Sequence, residues 1–343
     1  MSVRKKTRAT YEGEFIPIID VGSFLAGKPG SLISLSKEIA FALEHIGFFY
    51  IVNHGVPKPL IARIFKAAKA FHNLPVDEKS ALKSGPDLPG FYPMKLTTIV
   101  KTKNPDQPAA NVVELFLAQR DRVSDKNGIT DGNTISAGTS HAMNKWPNNE
   151  PIPGFREIVN AYHDTMQALG RRLLPLYAQA LGMPPGYFYN LFRDPQSIVR
   201  IAKYPVPDII EDNQWGAAPH GDLGFLTMLP EAQLPGLEIK MPSGEWMPQP
   251  IVPDALLVNA GETLREFSNH RFSSTPHRVK ASLNTDRYQI SFFFNPDSDA
   301  MVGPLPSCVN SDYPPCSKPI TFKKFASNYM KKSNQYSKTI HKS

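Results

Sequence analysis

Long hydrophobic runs are missing from this 343-residue chain, although 41% of its residues are hydrophobic. No apolar stretch approaches the ~20 residues that a helix needs to cross a bilayer, so we expect no membrane-embedded segment. The basic residues at the start, 1–8, are followed by no apolar core, which argues against a secretory signal. We therefore expect a globular protein in the cytoplasm.

Cysteine is also scarce. Cys308 and Cys316 are the only two, and they lie eight positions apart in a stretch rich in proline and serine. A disulfide between them is possible, but two cysteines make no disulfide framework and a cytosolic pair is usually reduced. We interpret both as poor candidates for metal ligands. The chain is long enough to be held together by a sizeable hydrophobic core instead.

Positive charge is concentrated at the two ends of the chain. The net charge is +7, and basic residues cluster in 4–8 and 323–342. Basic tails can contact nucleic acid or membrane surfaces, but the sequence has no interleaved aromatic and basic stripe of the kind that marks a nucleic-acid groove. We expect solvated, weakly ordered tails, and neither membrane, nucleic acid nor an obligate protein as a partner.

The segment 218–294 contains two histidines and a carboxylate at informative spacings. His220 and Asp222 are separated by one residue, and alternate side chains of a β-strand point to the same face, so both can reach one ion. His277, 57 positions later, can supply a third ligand from another strand. Two imidazoles and one carboxylate occupy one face of a divalent metal and leave the opposite positions open for a cosubstrate and O₂.

The residues around this pattern favour a sheet structure. Apolar runs at 223–229 and 255–259 alternate with turns rich in Gly, Pro, Asn and Ser, such as 242–244. Short strands separated in this way indicate an antiparallel sandwich or jelly roll. This context matters because His-x-Asp is common by chance.

The segment resembles the core of the isopenicillin N synthase-like Fe(II)/2-oxoglutarate-dependent dioxygenases. The matching motifs occur in the same order as in that family, and they are 219–222, 235–237, 258–262, 268–279 and the Phe-rich strand that begins at Arg287. An N-terminal motif at 47–56 adds to the resemblance, which spans most of the chain. The fold implied is mainly β with flanking helices, built on a distorted double-stranded β-helix, or jelly-roll, core.

The resemblance implies a site as well as a fold. His220, Asp222 and His277 are expected to hold Fe(II) as the catalytic centre, Arg287 to pair with the distal carboxylate of 2-oxoglutarate, and Tyr204 to contact the same cosubstrate. A guanidinium suits a carboxylate because its planar fork makes two charge-assisted hydrogen bonds.

The reaction implied is the O₂-dependent oxidation of a small organic molecule, with succinate and CO₂ as coproducts. Hydroxylation is the expected outcome, and desaturation and ring closure are alternatives. We expect the substrate to belong to secondary metabolism.

Gln289 departs from the family pattern, in which a serine usually stands two residues after the arginine. Ser291 is no substitute, because it lies ~13 Å along the strand from Arg287. A glutamine amide can donate to a carboxylate, so we expect Gln289 to help bind 2-oxoglutarate.

Three alternatives follow from the same residues. The first is a 2-oxoglutarate-independent iron oxidase of the isopenicillin N synthase type, in which Arg287 holds the substrate. The second, a halogenase, is disfavoured because Asp222 is retained. The third, a non-catalytic jelly-roll binding protein, has no need of all three metal ligands together with Arg287.

We divide the chain into an N-terminal region, 1–140, that wraps the core, a jelly-roll domain, 141–320, and a basic tail, 321–343. Hydrophobic periodicity predicts strands and helices in the first two regions; the strands are 14–20, 48–52 and 200–205, and the helices are 34–45, 60–71 and 154–181. His54 follows a strand in a Gly turn, and we interpret it as bonding to the backbone there rather than as a metal ligand.

The stretch 83–140 is rich in turn residues and is expected to form a lid or loop near the substrate entrance. The weak candidates for substrate contact are Phe91, Tyr92, Glu114 and Phe116, together with Phe293, which is expected on the same strand face as Arg287.

Overall fold

The computed structural model describes residues 8–11, 14–83, 89–94, 111–121, 124–125, 128–129, 144–207, 215–282 and 284–340. Most of the expected lid, 83–140, and residues 1–7 of the basic N-terminus lie outside these ranges.

The strands, numbered in chain order, are β1 Arg8–Tyr11, β2 Glu14–Asp20, β3 Phe48–Val52, β4 Gly90–Tyr92, β5 Glu114–Gln119, β6 Ser124–Asp125, β7 Gly128–Ile129, β8 Ile198–Tyr204, β9 Trp215–His220, β10 Leu226–Pro230, β11 Leu237–Lys240, β12 Trp246–Pro248, β13 Leu256–Ala260, β14 His277–Lys280, β15 Arg287–Phe294, β16 Met301–Val302 and β17 Ile320–Thr321. The helices are α1 Gly22–Leu25, α2 Ser31–His45, α3 Lys58–His72, α4 Val76–Ala81, α5 Phe155–Ala180, α6 Glu262–Phe267 and α7 Phe322–Ile340, with short 3₁₀ turns at Tyr187–Leu191 and Pro306–Cys308.

Two sheets face each other across the centre of the molecule. In the described residues the larger sheet has the order β1-β2-β3-β13-β10-β15-β8-β5-β4, and the smaller has the order β12-β11-β14-β9. Neighbouring strands are antiparallel except for β2 and β3, which are parallel. The flanking helices complete the jelly roll that the sequence predicts.

The side chains of β15 alternate between an apolar cluster on one face and a cavity on the other. Its even-numbered residues, Tyr288, Ile290, Phe292 and Phe294, join the apolar cluster between the larger sheet and the helices. Its odd-numbered residues, Arg287, Gln289, Ser291 and Phe293, line a cavity between the two sheets. Because side chains alternate across a strand, one face stabilises the fold and the other is free to carry polar chemistry.

Helices α2, α3 and α5 cover the outer face of the larger sheet. Helix α5 confirms the predicted long helix, and Pro175 lies inside it. The helix approaches β15 closely at Gly170, where an added Cβ would lie 3.0 Å from the ring of Phe294. The close packing at this point therefore favours a residue without a side chain.

The N-terminal region contributes strands to the larger sheet on both sides. Strand β3 pairs with β13, and β5 pairs with β8. The first part of the chain therefore completes the sheet that carries part of the site, as expected of a region that wraps the core. The boundaries proposed at residues 140 and 320 remain predictions.

The expected weakly ordered C-terminal tail is wrong for the described residues, because α7 extends from Phe322 to Ile340. Phe322 is buried and anchors the start of the helix. No helix in the described part of the chain is both long enough and apolar enough to cross a membrane.

Candidate metal centre

His220 and His277 lie side by side on neighbouring strands of the smaller sheet. His220 is the last residue of β9 and His277 the first of β14, and the antiparallel register places them opposite each other. Their ring centroids are 4.4 Å apart. The Oδ1 atom of Asp222 lies 4.0 Å from His220 Nε2 and 3.7 Å from His277 Nε2. The ligand atoms of all three side chains lie within 4.8 Å of one another, so they can bind one ion.

Asp222 reaches this cluster from a loop and not from the strand on which we expected it. Strand β9 ends at His220, and the carboxylate is positioned by side chains of the larger sheet. Thr227 Oγ1 and Asn259 Nδ2 donate to Asp222 Oδ2 at 2.5 and 2.8 Å. These bonds occupy one carboxylate oxygen and leave Oδ1 facing the imidazoles.

The backbone fixes the orientation of both imidazole rings. His220 Nδ1 lies 2.7 Å from the carbonyl oxygen of Ala218, and His277 Nδ1 lies 3.2 Å from that of Thr275. A carbonyl oxygen can only accept, so each Nδ1 carries a proton and donates, which assigns the tautomer. Each Nε2 then presents a lone pair toward Asp222. Such outer contacts orient metal-binding histidines.

The protonation states of the cluster suit metal binding. Burial lowers the pKa of His220 to about 3, and the neighbouring His277 adds to this shift. Burial alone would raise the pKa of Asp222, but His277, His220 and the hydrogen bonds from Asn259 and Thr227 lower it overall. A neutral imidazole and an ionised carboxylate are the forms that coordinate a divalent cation.

Arg287 places a buried cation in the same cavity. Its Nε donates to the carbonyl oxygen of Leu234 at 3.1 Å, and its Nη2 donates to Gln289 Oε1 at 2.9 Å. Its Nη1 is buried and has no acceptor among the described residues, and the residue as a whole is only 2% exposed. Burial, followed by the nearby Arg200, lowers the pKa of Arg287. A buried charge with an unused donor is costly until an anion binds it, so the residues fit a carboxylate ligand.

Gln289 contacts Arg287 rather than projecting a donor into the cavity as expected. Its Oε1 accepts from Arg287 and its Nε2 donates to the carbonyl oxygen of Ile290 at 3.3 Å. The guanidinium has donors only, so the glutamine must turn its oxygen toward it. The amide nitrogen, which we expected to meet 2-oxoglutarate, is thereby directed to the backbone.

Arg200 is a further residue of the site that the sequence analysis missed. It lies opposite Ser291 in the register of β8 and β15 and lines the same cavity. Its Nη2 donates to the hydroxyl of Tyr204 at 3.3 Å, while its Nε is buried without an acceptor in the described part of the chain. The alternation of side chains along a strand could have indicated it, because residues 200 and 204 lie on the same face of β8.

Tyr204 lies where the resemblance placed it, between the two arginines. The guanidinium carbon of Arg287 is 5.2 Å from the centre of its ring, and its hydroxyl accepts from Arg200. The ring is almost fully buried. Tyr204 therefore positions both cations through its face and its hydroxyl.

The candidates for substrate contact lie on different faces of their strands, and only some of them are on the side of the cavity. Phe293 lines the cavity, and Tyr92 packs against the apolar cluster between the sheets. Phe116 is wrong as a candidate, as it is fully buried against Phe71 and Phe155 on the helix side.

Two further candidates also fail. Phe91 belongs to the helix-side core. Glu114 accepts from Lys79 Nζ at 2.9 Å and contacts His72, and the pair lowers the pKa of Glu114 to about 2 although burial opposes the shift.

His54 is not a metal ligand in this structure, in agreement with the sequence analysis. Its Nδ1 accepts from the backbone N–H of Val56 at 3.1 Å, and its Nε2 lies 3.2 Å from the carbonyl oxygen of Asp254.

The C-terminal helix reaches the metal-ligand loop. Tyr329 Oη donates to the carbonyl oxygen of Gly221 at 2.7 Å, across 108 residues of sequence. Gly221 is the residue between His220 and Asp222. Helix α7 therefore supports the backbone that presents two of the three ligands.

A jelly roll that brings two histidines, one carboxylate and a buried arginine into one cavity defines a class of protein, the non-haem Fe(II) oxygenases that use 2-oxoglutarate. Two family models match the chain. Residues 16–149 match the non-haem dioxygenase in morphine synthesis N-terminal model, and residues 195–296 match the 2OG-Fe(II) oxygenase superfamily. The chain belongs to this superfamily and is a 2-oxoglutarate-dependent dioxygenase.

Curated relatives and solved structures agree with this assignment. Hyoscyamine 6-dioxygenase of Hyoscyamus niger is 27% identical over 88% of this chain and 83% of its own length. The 2-oxoglutarate-dependent dioxygenase citB of Monascus ruber is 29% identical over 87% of this chain and 89% of its own. Neurospora crassa T7H in complex with alpha-KG has a TM-score of 0.79 at 22% identity, covering 94% of this chain and 98% of that one. JOX2 in complex with 2OG, Fe and JA has a TM-score of 0.71 at 27% identity, covering 90% and 83%.

These comparisons confirm the predicted fold, the cofactors Fe(II), 2-oxoglutarate and O₂, and the oxidation of a small molecule as the reaction. The roles of individual residues rest on the geometry described above.

Proposed function

We propose that His220, Asp222 and His277 hold Fe(II), and that Arg287 anchors 2-oxoglutarate in the same cavity. The observation that carries this proposal is the buried Nη1 of Arg287, a donor without an acceptor that lines the cavity of the three ligands. The free Nη1 offers a carboxylate a charge-assisted hydrogen bond, the strong kind.

The cavity residues bind and orient the reactants. Iron and 2-oxoglutarate, when bound, supply the oxidising chemistry that uses O₂ and releases succinate and CO₂. The two Nε2 lone pairs and Asp222 Oδ1 fix the position of the metal, and Arg287 fixes the far end of the cosubstrate. The sheets on both sides keep water away, which strengthens these electrostatic contacts.

We propose that the substrate is a small molecule that carries a carboxylate or carbonyl group beside an apolar part. Arg200 has an unused Nε donor in the cavity, and in the described residues it pairs with no carboxylate. Phe293 supplies an apolar surface at the same cavity. A fixed cation beside an aromatic wall orients a molecule with one polar end. A substrate from secondary metabolism is supported by hyoscyamine 6-dioxygenase among the relatives.

The first test is anaerobic titration of the Fe(II)-loaded protein with 2-oxoglutarate, followed by the visible charge-transfer band of the chelate. The wild-type protein should develop the band. Arg287→Gln should raise the concentration of 2-oxoglutarate needed by about 100-fold, the value of one or two charged hydrogen bonds. Asp222→Ala should bind iron too weakly to form the chelate.

Arg200→Gln is the matched control, because it removes the other guanidinium of the cavity. It should leave the titration with 2-oxoglutarate within about threefold of wild type and should reduce the turnover of carboxylate-bearing substrates. If Arg287→Gln binds 2-oxoglutarate as tightly as the wild-type protein, Arg287 does not anchor the cosubstrate. A loss of 2-oxoglutarate binding in Arg200→Gln would assign the cosubstrate to Arg200 instead.

A further inference from the structure

A second group of metal-ligating side chains lies outside the oxygenase cavity. Glu266 is in the last turn of α6, His270 follows that helix, and Cys316 arrives from the C-terminal segment. The ligand atoms of these three residues lie within 4.8 Å of one another. None of them contributes to the candidate iron site.

The ligand atoms of this cluster lie near the separations found in a zinc coordination shell, with His270 and Cys316 meeting different oxygens of Glu266. His270 Nε2 lies 3.2 Å from Glu266 Oε2, and Cys316 Sγ lies 3.6 Å from Glu266 Oε1. Zinc bonds of ~2.0–2.1 Å to nitrogen, ~2.0–2.2 Å to oxygen and ~2.3 Å to sulfur, at tetrahedral angles, separate ligand atoms by roughly 3.4–3.6 Å. Small side-chain rotations therefore suffice to enclose the ion.

The side chains of Asn269 and Ser317 hold Cys316 and Glu266 in place before any ion binds. Asn269 Oδ1 accepts from the N–H of Cys316 at 2.9 Å, and its Nδ2 donates to the carbonyl oxygens of Cys308 and Pro314 at 3.1 and 3.2 Å. The hydroxyl of Ser317 donates to the carboxylate of Glu266. A site whose ligands are already positioned loses less entropy on binding.

His270 and its neighbour Asn269 both have a left-handed backbone. Asn269 has φ 53° and His270 has φ 64°, a region that residues other than glycine seldom occupy and that costs of order 1–3 kcal/mol. From this position the imidazole of His270 meets Glu266, with 3.2 Å between Nε2 and Oε2.

We propose that Glu266, His270 and Cys316 form a zinc site, with water as the fourth ligand. This reverses, for Cys316, the interpretation from sequence that neither cysteine is a good metal ligand, because the fold brings Cys316 to Glu266 and His270. The mixture of one thiolate, one imidazole and one carboxylate suits Zn²⁺, and the two anionic ligands neutralise its charge. Without a cation, burial and the adjacent Glu266 raise the pKa of the Cys316 thiol, and the ion reverses this by stabilising the thiolate. The bound metal joins the segment that leads into α7 to helix α6.

Cobalt substitution distinguishes this site from the iron site. A thiolate bound to Co²⁺ gives a charge-transfer band in the near ultraviolet, and the three residues of the candidate iron site contain no sulfur. Titration of the full-length protein with Co²⁺ should produce this band, and an equivalent of Zn²⁺ should remove it. Cys316→Ser should abolish the band, and His270→Ala should weaken Co²⁺ binding at this site at least tenfold.

Cys308→Ser is the matched control, because Cys308 is the other cysteine of the chain and lies outside the cluster. It should keep the band. The proposal is overturned if the wild-type protein shows no band, or if the band survives in Cys316→Ser.

Thermal unfolding provides a second readout. Zinc at 100 times its dissociation constant should raise the melting temperature of the wild-type protein by several degrees. Because zinc can also bind the three residues of the candidate iron site, the comparison is made with Asp222→Ala. The rise should persist in Asp222→Ala and disappear in the double variant Asp222→Ala, Cys316→Ser. Equal rises in these two variants would also overturn the site.

Discussion

At the scale of single residues, the site depends on side chains that touch no reactant. Asn259 and Thr227 occupy one oxygen of Asp222 and so decide which oxygen faces the two imidazoles. Gln289 plays a corresponding part for Arg287, since it holds one arm of the guanidinium and leaves Nη1 free. In both cases a hydrogen-bonding neighbour fixes the orientation of the side chain that faces the cavity.

Asn259→Ala should weaken Fe(II) binding by 10- to 100-fold, the effect expected when a partner of a metal ligand is removed. The carboxylate of Asp222 loses a hydrogen bond and can rotate away from the imidazoles. Anaerobic Fe(II) titration measures this change. Asn160→Ala is the control, because Asn160 donates to Asp121 in another part of the fold and should leave iron affinity unchanged.

Gln289→Ala should raise the KM for 2-oxoglutarate about tenfold with little change in kcat. The reason is that Arg287 loses a positioning hydrogen bond worth about 1.4 kcal/mol while the iron ligands stay in place. Steady-state kinetics with varied 2-oxoglutarate tests this split. A large fall in kcat at saturation would show that Gln289 acts on the chemical step.

At the scale of elements, the turn after α2 supports the strand that carries His277. Gly47 has φ +78°, and a Cβ added there would lie 2.7 Å from the carbonyl oxygen of Ser273 and against the side chain of Thr275. The carbonyl of Thr275 is the acceptor for His277 Nδ1.

Gly47→Ala should therefore destabilise the protein by about 3 kcal/mol, combining backbone strain with a steric clash. Gly30→Ala separates the two contributions, since Gly30 has φ +77° but no atom within 4 Å of an added Cβ. It should cost only about 1 kcal/mol. Urea denaturation of both variants measures the difference. Equal losses would mean that the close contact with Ser273 relaxes freely.

Helix α7 gives a second prediction at this scale. Tyr329→Phe removes the hydrogen bond to Gly221, and because such bonds are worth about 0.5–1.5 kcal/mol, Fe(II) affinity should fall by about 2- to 10-fold. Tyr313→Phe, which alters an exposed tyrosine, should not change it. Iron binding measured without turnover provides the comparison.

Sequence periodicity predicted individual elements well where one face is apolar. Strand Phe48–Val52 and helix Phe155–Ala180 agree with expectation to within a residue at each end. Periodicity failed where tertiary contacts decide the outcome. It could not show that Phe116 faces the helices, nor that Asp222 leaves its strand to meet Asn259.

Pairings between distant segments were also beyond the sequence. Nothing in the linear order indicates that Cys316 meets Glu266, or that Tyr329 meets Gly221, because the contacts are between residues 50 and 108 positions apart. The resemblance to a family pointed to the three residues proposed to hold iron and to Arg287. It could not identify Arg200 as a second cation, since that residue's importance depends on an unused Nε inside the folded cavity.

At the scale of the whole molecule, the metal-free protein should become less stable as the pH falls from about 6.5 to about 3. An unfolded histidine takes up a proton near pH 6.5, whereas His220 in the folded protein does so only near 3. The unfolded chain therefore binds more protons within this window. The contribution of neutral His220 to the stability of the folded protein is complete above pH 6.5 and is lost as the pH approaches 3.

His220→Gln should flatten this dependence, and denaturation of metal-free wild type and variant at a series of pH values measures it. Parallel curves for the two proteins would contradict the lowered pKa of His220. Bound Fe(II) should extend the pH range in which the folded protein is stable to lower pH, because protons and the metal compete for the same nitrogen of His220.

The pairing of β3 with β13 affects how a newly made chain can fold. Phe49 lies opposite Val258 in this pairing, so the ribosome adds about 200 residues between the two partners. At about 5–20 residues per second, this takes roughly 10–40 s. During that time an apolar strand waits without its final neighbour, and such a strand is open to aggregation. Slow, chaperone-dependent maturation is the expected result, and the later strand of this pair, β13, also brings the Asn259 that positions Asp222.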